Sequence, residues 1–148
     1  MGVFAMLIEE NKAVINRLIE ARNTNNTEAF LALLAAELQD PLRIAFTGIS
    51  KAFPDVQITA EEMIAEGNKV VSRWTFKGTH LGAFRGTFKG SFQEIPATGK
   101  AVIWTGIDIY TVKDGRITSW EREADMLGLM QQLGAISLKP GAERNENS

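Results

Sequence analysis

Residues 101–125 read AVIWTGIDIYTVKDGRITSWEREAD, and this stretch decides the fold. Two runs rich in β-branched and aromatic residues flank Lys113-Asp114-Gly115, the composition of a tight hairpin turn. Ala101 to Val112 and Arg116 to Asp125 therefore read as neighbouring antiparallel strands. With Lys113-Asp114-Gly115 as the turn, Val112 faces Arg116, Tyr110 faces Thr118, Asp108 faces Trp120 and Gly106 faces Arg122. Alternation places Trp104, Asp108, Tyr110, Thr118, Trp120 and Arg122 on one face of the hairpin. Ile103, Ile107, Ile109, Ser119, Glu121 and Glu123 take the other.

Working outward, Lys69 to His80 is a third strand carrying Val70, Val71, Trp74, Thr75 and Phe76. Val56 to Ile64 is a fourth, weakened by Glu61 and Glu62. Between strands, Phe84-Arg85-Gly86-Thr87-Phe88-Lys89-Gly90-Ser91-Phe92 repeats Phe-x-Gly twice. It suits an aromatic lid over a cavity, or a hairpin that fills core or meets another subunit. Three helical stretches precede the strands. Leu7 to Arg22 puts Ile8, Ile15, Leu18 and Ile19 on one face, and Asn25 with Glu28 makes a capping signal for a helix bearing Phe30, Leu31, Leu33 and Leu34. Asp40 and Pro41 open the third, whose stripe is Leu42, Ala45, Phe46, Ile49 and Phe53, with Pro54 ending it. Met126 to Leu133 is a closing helix for which Asp125 is the cap. Helices first, then a long antiparallel run, predict an α+β fold with helices on one face of a curved sheet. Residues 1–136 read as one domain and 137–148 as a flexible C-terminal tail.

Composition narrows the chemistry. The 148 residues are 45% hydrophobic and 23% charged, the balance of an ordinary globular domain. No cysteine is present, which removes disulfides, thiol nucleophiles and zinc–cysteine sites. A single histidine, His80, removes multi-histidine metal sites, so neither a metal nor a cofactor is expected. Sixteen basic against eighteen acidic residues give a net charge of −2 without a basic stripe, which disfavours nucleic acid and anionic membranes as partners. The apolar start Met1 to Ile8 lacks a basic leader and is followed by acids, and no run reaches a membrane span. The chain is thus read as cytoplasmic, and Asn25-Asn26-Thr27 as an idle sequon.

Several segments, in order, carry a family resemblance. They are Glu10-Asn11-Lys12, Ala52-Phe53-Pro54-Asp55, Gly78-Thr79-His80-Leu81-Gly82 and Ile95-Pro96-Ala97-Thr98-Gly99-Lys100. Thr105-Gly106-Ile107-Asp108-Ile109-Tyr110, Asp114-Gly115-Arg116-Ile117 and the run from Asp125-Met126-Leu127-Gly128 to Leu133-Gly134 follow. Over roughly residues 8–135 the chain resembles the SnoaL-like polyketide cyclases, or ester cyclases, of the nuclear transport factor 2-like superfamily. The resemblance implies a cone-shaped, cystatin-like fold in which three helices and a strongly curved sheet enclose an apolar pocket. It also implies pairing of subunits through the sheet as a homodimer or larger oligomer, and a small hydrophobic molecule as partner. In such cyclases an Asp on the last strand is the general acid/base and a His on the preceding strand lies near it. The matching positions here are Arg122 and Asp108. The chain also inserts about eight residues, the Phe-x-Gly repeat, where the family has a short connection.

Asp108, Arg122 and His80 are accordingly the candidate catalytic residues, and Trp104, Tyr110 and Trp120 the candidate ligand-binding ones. On the predicted register Asp108 and Arg122 are diagonal neighbours. A carboxylate beside a guanidinium stays ionised, which suits a base or a water-orienting group better than an acid. Arg122 cannot shuttle a proton but can stabilise an enolate or a carboxylate. The same pair serves as well as a structural ion pair, His80 as a strand-end residue satisfying backbone groups, and the aromatics as core. Three functions follow: aldol-type cyclisation or condensation of a carbonyl compound, epoxide hydrolysis of the limonene type through an Asp-Arg-Asp set, or non-catalytic binding of a small molecule by a dimer.

Overall fold

The structure, a computed structural model, describes residues 2–85 and 94–137. The tail from residue 138 and most of the Phe84–Phe92 segment lie outside the described residues. Helix α1 spans Val3–Asn23 and buries Asn11, Val14, Ile15, Leu18 and Ala21. Asn25 then takes φ 52, a left-handed conformation, so capping passes to Asn26, whose side chain accepts from the Ala29 N–H of α2, Thr27–Ala32. Helix α3, Ala36–Ala52, begins a turn before the Asp40 start predicted from sequence and carries Pro41 inside it. The extra turn lets Leu38 join Leu42 against the core, which offsets the backbone bond that the proline cannot donate.

Four antiparallel strands follow in the order β1-β2-β3-β4: β1 Gln57–Glu66, β2 Lys69–Thr79, β3 Ala101–Lys113 and β4 Arg116–Ala124. The acidic pair that weakened β1 in sequence sits at a register shift between Ala60 and Glu62, where both glutamates stay exposed. Helix α4, Met126–Gln132, closes the order, and the Asp125 carboxylate accepts from the Gly128 N–H at 2.9 Å. The architecture is α+β, with the helices preceding a four-stranded antiparallel sheet. Among the described residues no helix is long and apolar enough to cross a membrane.

The inner face of the sheet meets the helices through two apolar clusters. One joins Val14, Ile15, Leu18, Phe30, Leu34, Phe46, Val70 and Tyr110; the other joins Phe53, Trp74, Phe76, Phe84, Trp104 and Leu129. Asn23 pins the end of α1 to the start of β1, donating to the Ile58 carbonyl and accepting from its N–H at 2.8 and 2.7 Å. That clamp fixes the last turn of α1 over the inner face. The outer face leaves Ile64, Ile103, Ile107 and Ile109 exposed.

Candidate ligand site at the Asp108–Arg122 pair

The hairpin that decides the fold also builds the site. Asp114 and Gly115 both take positive φ, 50° and 76°, and form a two-residue loop in which Lys113 pairs with Arg116. The three-residue turn read from sequence is therefore corrected by one residue. A second correction comes from a bulge: Val112 faces Ile117 but Thr111 faces Ser119, leaving Thr118 as the extra residue. Together they slide β4 by two positions, so that Tyr110 faces Trp120, Asp108 faces Arg122 and Gly106 faces Ala124. An even slide preserves sidedness. Trp104, Asp108, Tyr110, Trp120 and Arg122 share the inner face as predicted, whereas Thr118 becomes the bulge residue and donates to the Thr111 carbonyl at 3.4 Å.

Asp108 and Arg122 are thus directly opposed, not diagonal. Arg122 Nε donates to Asp108 Oδ1 and Nη2 to Oδ2, each at 2.8 Å, a fork that holds both side chains in one orientation. The Tyr110 hydroxyl donates to Asp108 Oδ2 at 3.0 Å. Burial alone raises the Asp108 carboxyl, but the hydrogen bonds and charge of Arg122, with help from Arg22, outweigh it and hold the group below the usual carboxylate range. Burial pushes the Tyr110 phenol up, and the Asp108 charge pushes it further, so it remains a donor. An ionised carboxylate with three donors on it is a positioning group for Arg122 rather than a proton shuttle.

All three tryptophans of the chain surround Arg122. Its guanidinium carbon lies 4.7 Å from the Trp74 ring centre, 5.4 Å from Trp120 and 5.6 Å from Trp104. Gly106 makes room for this arrangement, because a Cβ there would meet Trp74 Cε2 and the Glu123 carbonyl oxygen at 2.9 Å. The Trp74 and Trp104 indole N–H groups and the Ser72 hydroxyl are buried without a hydrogen bond, although the Trp74 N–H lies near enough to Asp108 to help keep it ionised. Ser72 pairs with Asp108 across β2 and β3, so these polar atoms border the ion pair. The inner face here has more donors than acceptors.

Two residues that the sequence reading passed over complete the site. Trp74 read as an ordinary strand aromatic, and Arg22 as the polar end of α1. The α1–β1 clamp sets the Arg22 guanidinium over Trp120, 5.6 Å from the ring centre, so Trp120 lies within reach of two guanidinium groups. Burial first, and Arg122 second, lower the Arg22 pKa to about 10, which still leaves it charged at neutral pH.

His80 does not join this constellation. It ends the β2 run eight residues beyond Ser72, roughly 26 Å along an extended strand. There it is fully buried, with its ring centre 5.4 Å from that of Phe53. The Ile95–Lys100 segment clamps it: the Thr98 N–H donates to His80 Nδ1 at 3.2 Å, the Gly99 N–H to its carbonyl, and its own N–H to the Lys100 carbonyl. Because an N–H can only donate, Nδ1 is unprotonated and the proton sits on Nε2, which is buried without a partner. Burial lowers the His80 pKa.

A separate cavity of about 380 Å³ opens along α3, lined by Ile44, Gly48, Ile49 and Lys51 on one side and by Phe84, Arg85 and Glu94 on the other. None of the ion-pair residues lines it. Among the described residues no cluster of three or more His, Cys, Asp or Glu could hold a metal ion. Asp108 is also the only fully buried carboxylate among them, so an Asp-Arg-Asp water-activating set has two of its three members here.

The comparisons agree with this architecture. The sequence model of the SnoaL-like polyketide cyclases matches residues 12–133. TsrD from Streptomyces laurentii is similar in structure, with a TM-score of 0.74 and 26% identity over 86% of this chain and 97% of that one. A protein of Bacillus cereus ATCC 10987 assigned as a polyketide cyclase has a TM-score of 0.66 at 26% identity, covering 86% of this chain and 83% of that one. One from Jannaschia sp. CCS1, assigned as SnoaL-like, has a TM-score of 0.73 at 17% identity over 88% and 96% of the two chains, a likeness of fold alone. No match is found among curated proteins. With the matched segment running from α1 to α4 and the fold shared, the chain belongs to the SnoaL-like polyketide cyclase family.

Proposed function

We propose that the protein binds a small hydrophobic carbonyl compound inside the cone, against Arg122, and promotes aldol-type cyclisation or condensation by stabilising the enolate. The carrying observation is the surplus of donors around a fixed guanidinium: Arg122 is locked by Asp108, and the buried Trp74, Trp104 and Ser72 groups have no hydrogen-bond partner. A carbonyl or enolate oxygen is acceptor-only and meets that need. Asp108 is held too far into its ionised form, and by too many donors, to return a proton as the usual family Asp would. The reading therefore favours a substrate whose C–H is already acidified by two flanking carbonyls. Solvent base removes that proton, Arg122 holds the charge on oxygen, the enolate carbon attacks a second carbonyl, and the alkoxide formed there takes a proton back from solvent.

Deuterium uptake tests this. Benzoylacetone, a β-diketone, in D2O with the protein should exchange its acidic C–H at least about tenfold faster than in buffer, since one well-placed donor contributes on the order of a hundredfold. Arg122→Met should return the rate to that of buffer. Wild-type protein that leaves the buffer rate unchanged contradicts the proposal.

A further inference from the structure

The inner face holds two guanidinium groups, Arg22 and Arg122, both within 6 Å of Trp120, and a single fully buried carboxylate among the described residues. Both Asp108 oxygens are taken by Arg122 and Tyr110. The Arg22 side chain forms no hydrogen bond or ion pair with any described residue. Arg22 is thus left without a contacting carboxylate beside Trp120, whose ring also meets Phe30 and Tyr110. Arg22 is half-buried, and a guanidinium with no side-chain partner beside an aromatic wall is open to an anion.

We infer that the ligand is an aromatic or polyketide-like acid, its carboxylate taken by Arg22 beside Trp120 while its carbonyl meets Arg122. This rests on the carbonyl-binding reading above and adds a second recognition point to it. A guanidinium matches a carboxylate by its planar fork, and it is more weakly hydrated than an ammonium, so it gives up less hydration on binding. Asp108 and Tyr110 are the other titratable groups that face Arg22, and neither supplies a free acceptor.

Tryptophan quenching with a naphthalene carboxylate and its methyl ester distinguishes the two readings. Wild-type protein should bind the acid at least about tenfold more tightly than the ester, as expected for a charge-assisted pair. In Arg22→Gln that ratio should fall to about one with ester affinity unchanged. Arg22→Met, which keeps the apolar stem over Trp120, should lose the preference in the same way and is the test where Arg22→Gln does not fold. Equal wild-type affinities for acid and ester, or a preference that survives Arg22→Gln, would overturn this inference alone. Failure of wild-type protein to bind either compound would overturn it together with the carbonyl-binding proposal.

Discussion

Consider the double-mutant cycle formed by Asp108→Asn and Arg122→Met. Asp108 has no exposed side-chain surface, whereas 18% of the Arg122 side chain reaches solvent. Removing one partner of a buried ion pair costs about 3–5 kcal/mol, because the other is left as an unpaired buried charge. Asp108→Asn leaves the guanidinium with some access to water and belongs near ~3 kcal/mol. Arg122→Met leaves a buried carboxylate that keeps the Tyr110 bond but loses its fork, and belongs near ~5 kcal/mol until the carboxylate takes up a proton. For a chain of this size each kcal/mol lowers Tm by about 2–4 °C, so the single variants should lose on the order of 10 °C. The double variant removes both charges and should lie within ~2 kcal/mol of wild type. Urea unfolding of the four proteins at neutral pH gives the coupling energy, expected at ~3 kcal/mol or more. Additivity within about 0.5 kcal/mol would refute the claim that these residues act as one unit.

Two further outcomes follow from the same physics. His80 is buried with a lowered pKa, so the unfolded chain binds the extra proton first; the stabilisation is complete above the unfolded value of 6.5 and is lost as pH falls through the folded one. Thermal unfolding should therefore show a declining Tm from pH 7 towards pH 5, and His80→Gln should flatten that decline; an unchanged slope would argue against it. Gly106→Ala should force Trp74 off the strand, costing about 1–3 kcal/mol of stability and shifting the tryptophan emission, while an unaltered spectrum would mean that Gly106 does not set the indole.

Much of this was legible in the residues because period-two alternation is a local property. The hairpin of residues 101–125 announced its inner face, and a slide of two positions could not change which side chains lie there. The register itself was not legible. It turns on whether Lys113 belongs to the loop and on whether Thr118 bulges, and both depend on packing of Ile117 against Val112 and on the twist of the sheet. Arg22 was invisible for a different reason. Its helix is local, but its place over Trp120 comes from the Asn23 clamp to Ile58, a contact between segments 35 residues apart. The start of α3 was misplaced because proline near a capping residue signals a first turn, and here burial of Leu38 overrides that signal. His80 was singled out as the lone imidazole, yet its surroundings come from the Thr98–Lys100 backbone on the far side of the Phe-x-Gly insertion.

The most direct test is a crystal structure of the protein with a β-diketone or an aromatic keto acid bound. The account predicts a ligand carbonyl oxygen within hydrogen-bonding distance of the Arg122 guanidinium, beside Trp74, Trp104 and Trp120, with the Asp108–Arg122 fork intact. A ligand seated instead in the cavity along α3, with the Arg122 face untouched, would contradict it.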